Sequence, residues 1–280
     1  MQNFSSFLKR LGLLSAAVGL LSTSAALAQT PFTTGNYVVV RVGDGTAALT
    51  SASTATFLLE YTPTGTLVQT VALPTADTSP NLALTETGTS TADANLSRSA
   101  DGRYLVLTGY NTPTGTASLS GTTTATVNRV VGRIAANGTI NTTTRITDAF
   151  SGTTVRGAAS ADGSSFYVVG GNSGVVYVPL GNTAASTGIS TGSPTNNRAV
   201  GISRGNLYVS SGSVPTYGVV QVGTGLPTTA GQTQTLLPGF PIGGTSSTTA
   251  SSYSFFFTDQ STAVAGNDVL YVADDGTATV

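Results

Sequence analysis

The sequence predicts an all-β protein built from repeated antiparallel sheets. Short runs of β-branched and aromatic residues recur along the chain, and most of them end at Gly or at a small polar turn. The chain contains 34 glycines, which suits many turns. After residue 28, no window keeps apolar residues at helical spacing without Gly, Pro or Thr clusters breaking it. These observations together favour strands and disfavour helices.

The apolar runs repeat with a long, imperfect period. Their leading aromatic residues lie 67, 62, 42 and 63 positions apart, at Tyr37, Tyr104, Phe166, Tyr208 and Tyr271. Repeats of this length are typical of β-propellers and related arrays. Each run is apolar at successive positions, which is the pattern of a strand covered on both faces. The sequence therefore predicts a propeller of four-stranded blades, with signals for about four blades and with an incomplete ring as the alternative to a closed one.

Turn signals separate the predicted strands. Ser-Ala-Asp-Gly occurs at residues 99–102 and again at 160–163, and we expect it to form a tight turn that leads into the innermost strand of a blade. Thr-Pro-Thr-Gly-Thr at residues 62–66 and 112–116, and Asn-Gly at 137–138, predict outer hairpins. Polar stretches at residues 115–126, 184–197 and 245–252 are interpreted as long connections.

The N-terminus predicts export. Lys9 and Arg10 precede an apolar run over residues 11–21, and Ala26 and Ala28 form an Ala-x-Ala cleavage site, so residues 1–28 are interpreted as a signal peptide and residues 29–280 as the propeller domain. A retained transmembrane anchor is the minor alternative, because the run is short for a span. The mature chain has no Cys to form disulfides and must depend on its buried core.

Charge disfavours two classes of partner. The mature chain keeps 9 Arg and no Lys against 12 acidic residues, which gives a formal charge of 9 − 12 = −3. Such a chain has no basic stripe for a phosphate backbone, so nucleic acid is not an expected partner. No later segment is apolar enough to insert into a membrane.

The combination of signal peptide, Ser-Ala-Asp-Gly turn, "RYLVLTGYN" and "LYVADDG" resembles the secreted bacterial β-propeller proteins near the YVTN and quinoprotein-like propellers. The resemblance covers roughly residues 35 to 280. It implies a toroid of four-stranded blades, and extracellular or outer-surface deposition in a Gram-negative bacterium. It implies no catalytic residue. Because Tyr37 and Tyr271 both resemble blade-starting strands, we expect the reading frame to continue past Val280. The alternative is that the last strand completes the first blade of a small ring.

The composition excludes several kinds of chemistry. The chain has no His and no Cys, which removes the commonest general base and the usual zinc and thiol chemistry. The mature chain also lacks a Lys that could replace the base of a serine nucleophile. We therefore predict no catalytic residue, no cofactor and no metal ligand set.

The remaining acidic residues are interpreted mainly as turn residues. Asp44, Asp101, Asp162 and the Asp274-Asp275 pair each stand at or near an Asp-Gly turn and lack the spacing of a calcium-binding loop. The two glutamates, Glu60 and Glu86, could form a glycosidase pair only if the fold brought them together. The Gly-rich strings at residues 168–176 and 241–247 lack the Lys of a phosphate-binding loop and are also interpreted as turns.

Three further groups could contact a ligand. An arginine-rich sector could meet an anionic glycan, although paired or solvated surface arginines are the simpler interpretation; it comprises Arg98, Arg103, Arg129, Arg133, Arg145 and Arg156. Tyr253 and residues 255–257 form an aromatic cluster that predicts a buried strand, with a sugar-stacking platform as the alternative. Asn95, Asn137 and Asn141 match glycosylation acceptors.

The sequence is compatible with three functional hypotheses. The first is a secreted, non-enzymatic propeller that binds a glycan or a surface protein through loops at one face. The second is a propeller-type hydrolase or lactonase with Ca²⁺ in the central channel. The third is a structural β-solenoid, whose rungs usually repeat at shorter intervals than these spacings.

Overall fold

The computed structural model describes residues 30–213, 216–240, 251–261 and 263–275. The described chain is all-β, as predicted, and its only helical element is a 3-10 turn, Leu119–Gly121. The described residues include no long apolar helix of the kind that crosses a bilayer. The predicted signal peptide and the Gly-rich string at residues 241–247 lie outside the described residues.

The strands form a series of antiparallel sheets, most of them in simple up-and-down order. The first sheet has the order β1-β3-β4, and a small β2-β5 ladder lies beside it. Three four-stranded sheets follow, β6-β7-β8-β9, β10-β11-β12-β13 and β14-β15-β16-β17, and then the pair β18-β19. The strand bounds are β1 Tyr37–Val42, β2 Ser53–Thr54, β3 Thr56–Tyr61, β4 Leu67–Ala72, β5 Glu86–Thr87, β6 Ser97–Arg98, β7 Tyr104–Tyr110, β8 Arg129–Ala135, β9 Ile140–Ile146, β10 Val155–Ala159, β11 Ser165–Gly170, β12 Val175–Pro179, β13 Thr187–Ser190, β14 Asn197–Ser203, β15 Asn206–Ser213, β16 Thr216–Val222, β17 Gln234–Leu236, β18 Ser252–Thr258 and β19 Val269–Asp274.

The first strands of successive sheets lie side by side, which gives the sheets a propeller arrangement. Strand β10 packs against both β6 and β14, and β14 packs against β18. A parallel bridge between Asn95 and Gly157 joins the start of β6 to β10. The sheets therefore fan out from an axis formed by β6, β10, β14 and β18. The described strands form an open series and not a closed ring, and they do not form the inter-rung ladders of a solenoid.

The aromatic-led runs at Tyr104, Phe166 and Tyr208 are not the innermost strands, so the prediction was wrong on this point. They are β7, β11 and β15, the second strand of each sheet, and both Ser-Ala-Asp-Gly turns lead from the first strand into the second. The second strands are apolar on both faces because a neighbouring sheet covers each face. The first strands carry smaller and more polar residues because they line a cavity at the axis.

Three apolar clusters fill the spaces between the sheets. The first joins the second and third sheets around Phe150 and Phe166, the second lies around Leu58 and Leu84, and the third joins the third and fourth sheets around Leu207. Cores of this kind form where twisted sheets pack face to face. Stability therefore depends on burial between neighbouring blades.

The outer sheets have one uncovered face. Tyr37 on β1 is 62% exposed, and Phe256 on β18 and its cross-strand partner Tyr271 on β19 are 66% and 56% exposed. The aromatic cluster is therefore a strand, as predicted, but it is only partly buried, because Phe256 is exposed while Tyr253, Phe255 and Phe257 are half-buried. The reason is that no further described sheet packs on that side of β18.

Leu84 packs against a glycine on each of two neighbouring strands. Its two methyl groups lie against Gly109 on β7 and Gly132 on β8, and a Cβ atom built on either glycine would be 2.7 Å from the nearest of them. Neither glycine has a positive φ. Both positions are therefore glycine because of this close approach and not because of backbone conformation.

The predicted turns are mostly confirmed. Gly138, with φ of 85°, closes the β8-β9 hairpin, and residues 62–66 close the β3-β4 hairpin. The second Thr-Pro-Thr-Gly-Thr copy does not form a tight hairpin. It lies in the long β7-β8 connection and bonds to Ser53, whose hydroxyl donates to the Pro113 carbonyl over 2.7 Å. The stretch at residues 184–197 contains a strand, β13, and so is not wholly a connection.

Candidate functional site

A cavity of about 380 Å³ lies at the axis between the first strands of four successive sheets. We call it the axial cavity, and its described lining comes from residues 95–98, 157–160, 199–203 and 254–257. Most of these residues are small, and Phe255, Phe256 and Phe257 supply aromatic surface. The volume falls within the range of small-ligand sites. The lining contains no carboxylate among the described residues.

Polar residues gather at the end of the axial cavity where its strands begin. Asn95 connects three sheets there, because its backbone N–H donates to the Arg156 carbonyl over 3.1 Å and its side-chain amide donates to the Arg198 carbonyl over 3.3 Å. Asn95 is a glycosylation candidate in the sequence, but in the fold its side-chain amide is engaged in this contact. We call this end of the cavity the mouth.

Two arginines stand side by side at the mouth. Arg156 and Arg198 immediately precede the lining residues Gly157 and Ala199. Arg156 donates to the side chain of Asn196 and to the Asn197 carbonyl, and burial, together with the charge of Arg198, lowers its pKa. The Nε atoms of both arginines are buried and have no hydrogen-bond partner among the described residues.

Arg198 contacts an aromatic ring and one exposed carboxylate. Arg198 stacks on Tyr253, with its guanidinium carbon 4.5 Å from the ring centroid, and lies 3.6 Å from the carboxylate of Asp275. The Asp275 side chain is 59% exposed, so that ion pair is well screened by water. Paired guanidinium groups beside an aromatic ring are suited to planar anions such as carboxylates.

A buried acidic group lies next to the mouth. Glu86 on β5 is fully buried, Asp93 precedes β6 and is 8% exposed, and Tyr110 ends β7 and is fully buried. Burial raises the pKa of Glu86 well above its ordinary value, and the nearby Asp93 raises it further. Burial also raises the pKa of Asp93. Asp93 lies two residues before Asn95, whose N–H binds the Arg156 carbonyl, so the acidic group is near the arginine pair.

The other predicted arginines do not form one binding sector. Arg129 is fully buried and donates to the carbonyl oxygens of Thr122, Val127, Phe150 and Thr153, so it fixes loops. Arg103 and Arg133 both stack on Tyr104, and Arg98 donates to the Gly102 carbonyl. Arg145 lies on the outermost strand β9. Of the six predicted arginines, only Arg156 is at the mouth, while Arg98 lines the axial cavity farther along β6.

The predicted acidic residues form separate local structures. Asp44 and Asp162 each accept bonds from the residue two positions later, as expected for turn residues. Asp274 accepts two bonds from the Ser251 backbone N–H, and Asp275 faces Arg198. Among the described residues, no three His, Cys, Asp or Glu side chains form a metal-ligand group.

The two glutamates lie in different ladders and have different surroundings. Glu60 on β3 accepts bonds from the backbone of Thr33 and the side chains of Asn36 and Gln69, at 2.6 to 2.7 Å. Glu86 belongs to a different ladder, and neither of its carboxylate oxygens has a hydrogen-bond partner in the described part of the chain.

The sequence reasoning missed Arg198 and Asp93 as residues of the mouth. A signal for Arg198 was present, because Arg156 and Arg198 lie 42 positions apart, the same separation as Phe166 and Tyr208 on the second strands of the same two sheets. The two arginines thus hold equivalent positions in the repeat. No comparable signal marks Asp93, which lies in an irregular segment before β6.

Compared with known proteins, the chain matches no protein-family model and no curated protein.

Proposed function

We propose that the protein is a secreted, non-enzymatic β-propeller that acts as an extracellular binding or adhesion module and recognises an acidic glycan at the mouth of the axial cavity. The observation that carries this proposal is the pair Arg156 and Arg198, whose carbonyls Asn95 binds at the mouth and of which Arg198 keeps a side chain that is 20% exposed. The export-like N-terminus and the resemblance to secreted bacterial propellers of the YVTN and quinoprotein-like type support an extracellular or outer-surface location.

Acidic sugars fit the chemistry of the mouth. A uronic acid presents a planar carboxylate to the guanidinium groups, and its ring can lie against an aromatic face. Tyr253 stacks on Arg198 at the mouth, and Phe256 offers a largely exposed ring on the cavity lining. A neutral sugar would leave the arginine donors unpaired, which costs binding energy.

Calorimetric titration of the mature chain with a uronic-acid trisaccharide tests the proposal, with a neutral trisaccharide of equal length as the ligand control. We expect binding of the acidic sugar only, weakened by added salt because the attraction is between charges. Arg156→Met and Arg198→Met should each reduce affinity by about 10-fold or more, since each removes a charge-assisted hydrogen bond.

Arg204→Met is the matched control variant. Arg204 follows the other end of β14 and pairs with Asp259, so its loss removes the same charge from the same strand region without touching the mouth. It should bind the acidic sugar like the unsubstituted protein. Equal loss in all three variants, or equal binding of both sugars, would contradict recognition at the mouth.

A further inference from the structure

The buried acidic group beside the mouth has more oxygen atoms than donors. Glu86 Oε1 and Oε2, Asp93 Oδ2, Thr87 Oγ1 and Tyr110 Oη are all buried and make no hydrogen bond of normal length and angle among the described residues. Buried polar atoms are almost always paired in folded proteins, so five such atoms in one place require a physical explanation. Each of the residues involved is at least nine-tenths buried.

These side chains lie together in the fold. Glu86 Oε1 lies beside Gly109, the residue before Tyr110, because a Cβ atom built on Gly109 would be 3.1 Å from it. The neighbouring carboxylates also raise the pKa of Tyr110, and Asp93 raises the pKa of Glu86. Contact with the Thr87 hydroxyl lowers the pKa of both Asp93 and Tyr110, against the larger effect of burial. The ladder β2-β5 fixes Glu86 and Thr87, and the bridge between Thr85 and Tyr110 holds the end of β5 against the end of β7.

The guanidinium group of Arg129, which lies near this cluster, already binds other partners. Arg129 stacks over the Tyr110 ring at 4.8 Å, but its terminal nitrogens donate to backbone carbonyls and to Thr122. No arginine of the described residues forms an ion pair with Glu86, whose pKa is raised by burial and by Asp93. Two carboxylates thus share a water-poor site without a cationic side chain for Glu86, and this arrangement favours an external cation.

We propose that Glu86, Asp93 and Thr87 form a calcium site beside the mouth, with Tyr110 next to it as a hydrogen-bond donor. The donor set consists only of oxygen atoms, which hard cations prefer, and Glu86 can contribute both carboxylate oxygens. Two carboxylates are few for such a site. The affinity should therefore be that of weak extracellular sites, with a Kd of about 0.1 to 1 mM. The assignment does not rest on the proposed glycan binding, although Asp93 lies near Arg156.

Calcium should stabilise the mature protein because it binds only the folded site. After treatment with a chelator, about 10 mM Ca²⁺ should raise Tm by about 3 to 10 °C. Mg²⁺ at the same concentration should have a much smaller effect, since it requires a strict octahedral shell of shorter bonds. An equal shift with both ions, or no shift with Ca²⁺, would overturn the proposal and leave Glu86 a buried protonated acid.

Two glutamate variants distinguish Ca²⁺ binding at this site from a nonspecific effect of acidic residues. Glu86→Gln keeps the shape, removes a buried charge and should fold; its Ca²⁺-dependent rise in Tm should be lost. Glu60→Gln changes the only other glutamate, whose carboxylate is already fully hydrogen-bonded, and should keep the rise even if its basal Tm is lower. Retention of the full rise in Glu86→Gln would refute the assignment.

Terbium luminescence gives a second readout. Tb³⁺ replaces Ca²⁺ in oxygen sites and emits when a nearby excited aromatic ring transfers energy to it, and this chain has no Trp, so Tyr must be the donor. Excitation of tyrosine should give Tb³⁺ emission that Ca²⁺ displaces. Tyr110→Phe should lose most of this emission, whereas Tyr271→Phe, which changes an exposed tyrosine on β19, should retain it. Equal emission from both variants would place the bound ion elsewhere.

Discussion

The backbone N–H of Ala100 donates a hydrogen bond to the carbonyl oxygen of Ser160 over 2.9 Å. The next residue repeats the contact, since the Asp101 N–H donates to the Ala161 carbonyl, also over 2.9 Å. The two copies of Ser-Ala-Asp-Gly, 61 positions apart in sequence, therefore lie side by side and join the second sheet to the third. The repeat is thus part of the contact between sheets as well as a local turn.

The pH dependence of stability should report on this pair of turns. Hydrogen bonds from the Ser99 hydroxyl and from the Arg103 backbone and guanidinium hold the pKa of Asp101 at about 2, below the ordinary 3.8. The contribution of Asp101 is therefore full above pH 4 and is lost as pH falls toward 2. Asp101→Asn should lower Tm at neutral pH, and this difference should shrink on acidification. If Tm of Asp101→Asn and of the unsubstituted protein changed in parallel from pH 6 to pH 2, this prediction would be contradicted.

Arg129 should be one of the most sensitive positions in the chain. Arg129→Met should reduce the free energy of unfolding by about 3 to 5 kcal/mol, because several buried carbonyl oxygens would lose their only charged donor. Urea denaturation measures the loss. Arg103→Met is the control, since its side chain is 64% exposed and makes one surface ion pair, and it should cost less than about 1 kcal/mol. Similar losses in the two variants would be inconsistent with a structural role for Arg129.

Gly109 should not tolerate even a methyl group. Gly109→Ala would place a Cβ atom 2.7 Å from Leu84 Cδ2 and should cost about 1 to 3 kcal/mol through overpacking. Gly121→Ala is the matched control, because its Cβ would meet nothing within 4 Å at an ordinary φ. In the double variant with Leu84→Val, much of the cost of Gly109→Ala should disappear. Additive losses in the double variant would exclude a direct contact between these two positions.

Alkaline unfolding should involve Tyr167. Burial raises the pKa of Tyr167 to about 12, with a further contribution from Tyr177, whose ring centroid lies 5.4 Å away. Between pH 10 and 12 the unfolded chain would release this proton while the folded chain keeps it, so stability falls as pH rises. Tyr167→Phe should show a shallower decline over that interval, measured by circular dichroism. An unchanged slope would argue against a buried neutral phenol.

Sequence periodicity located the second strands well and the first strands poorly. Strands β7 and β11 are apolar at successive positions because sheets cover both of their faces, and this pattern can be recognised in the amino-acid sequence. The first strands β6, β10 and β14 line a cavity, so their small and polar residues give no hydrophobic signal. The mouth was hard to predict for the same reason, because Asn95, Arg156 and Arg198 are brought together by contacts between sheets.

The position of Leu84 has a consequence for recognising homologues. Its methyl groups lie against Gly109 and Gly132, so a bulkier residue at either glycine requires a smaller one at position 84. Over evolutionary time these three sites should change in concert, even where the surrounding surface diverges freely. Such covariation offers a fingerprint by which distant relatives of this chain can be aligned when overall identity is too low to find them.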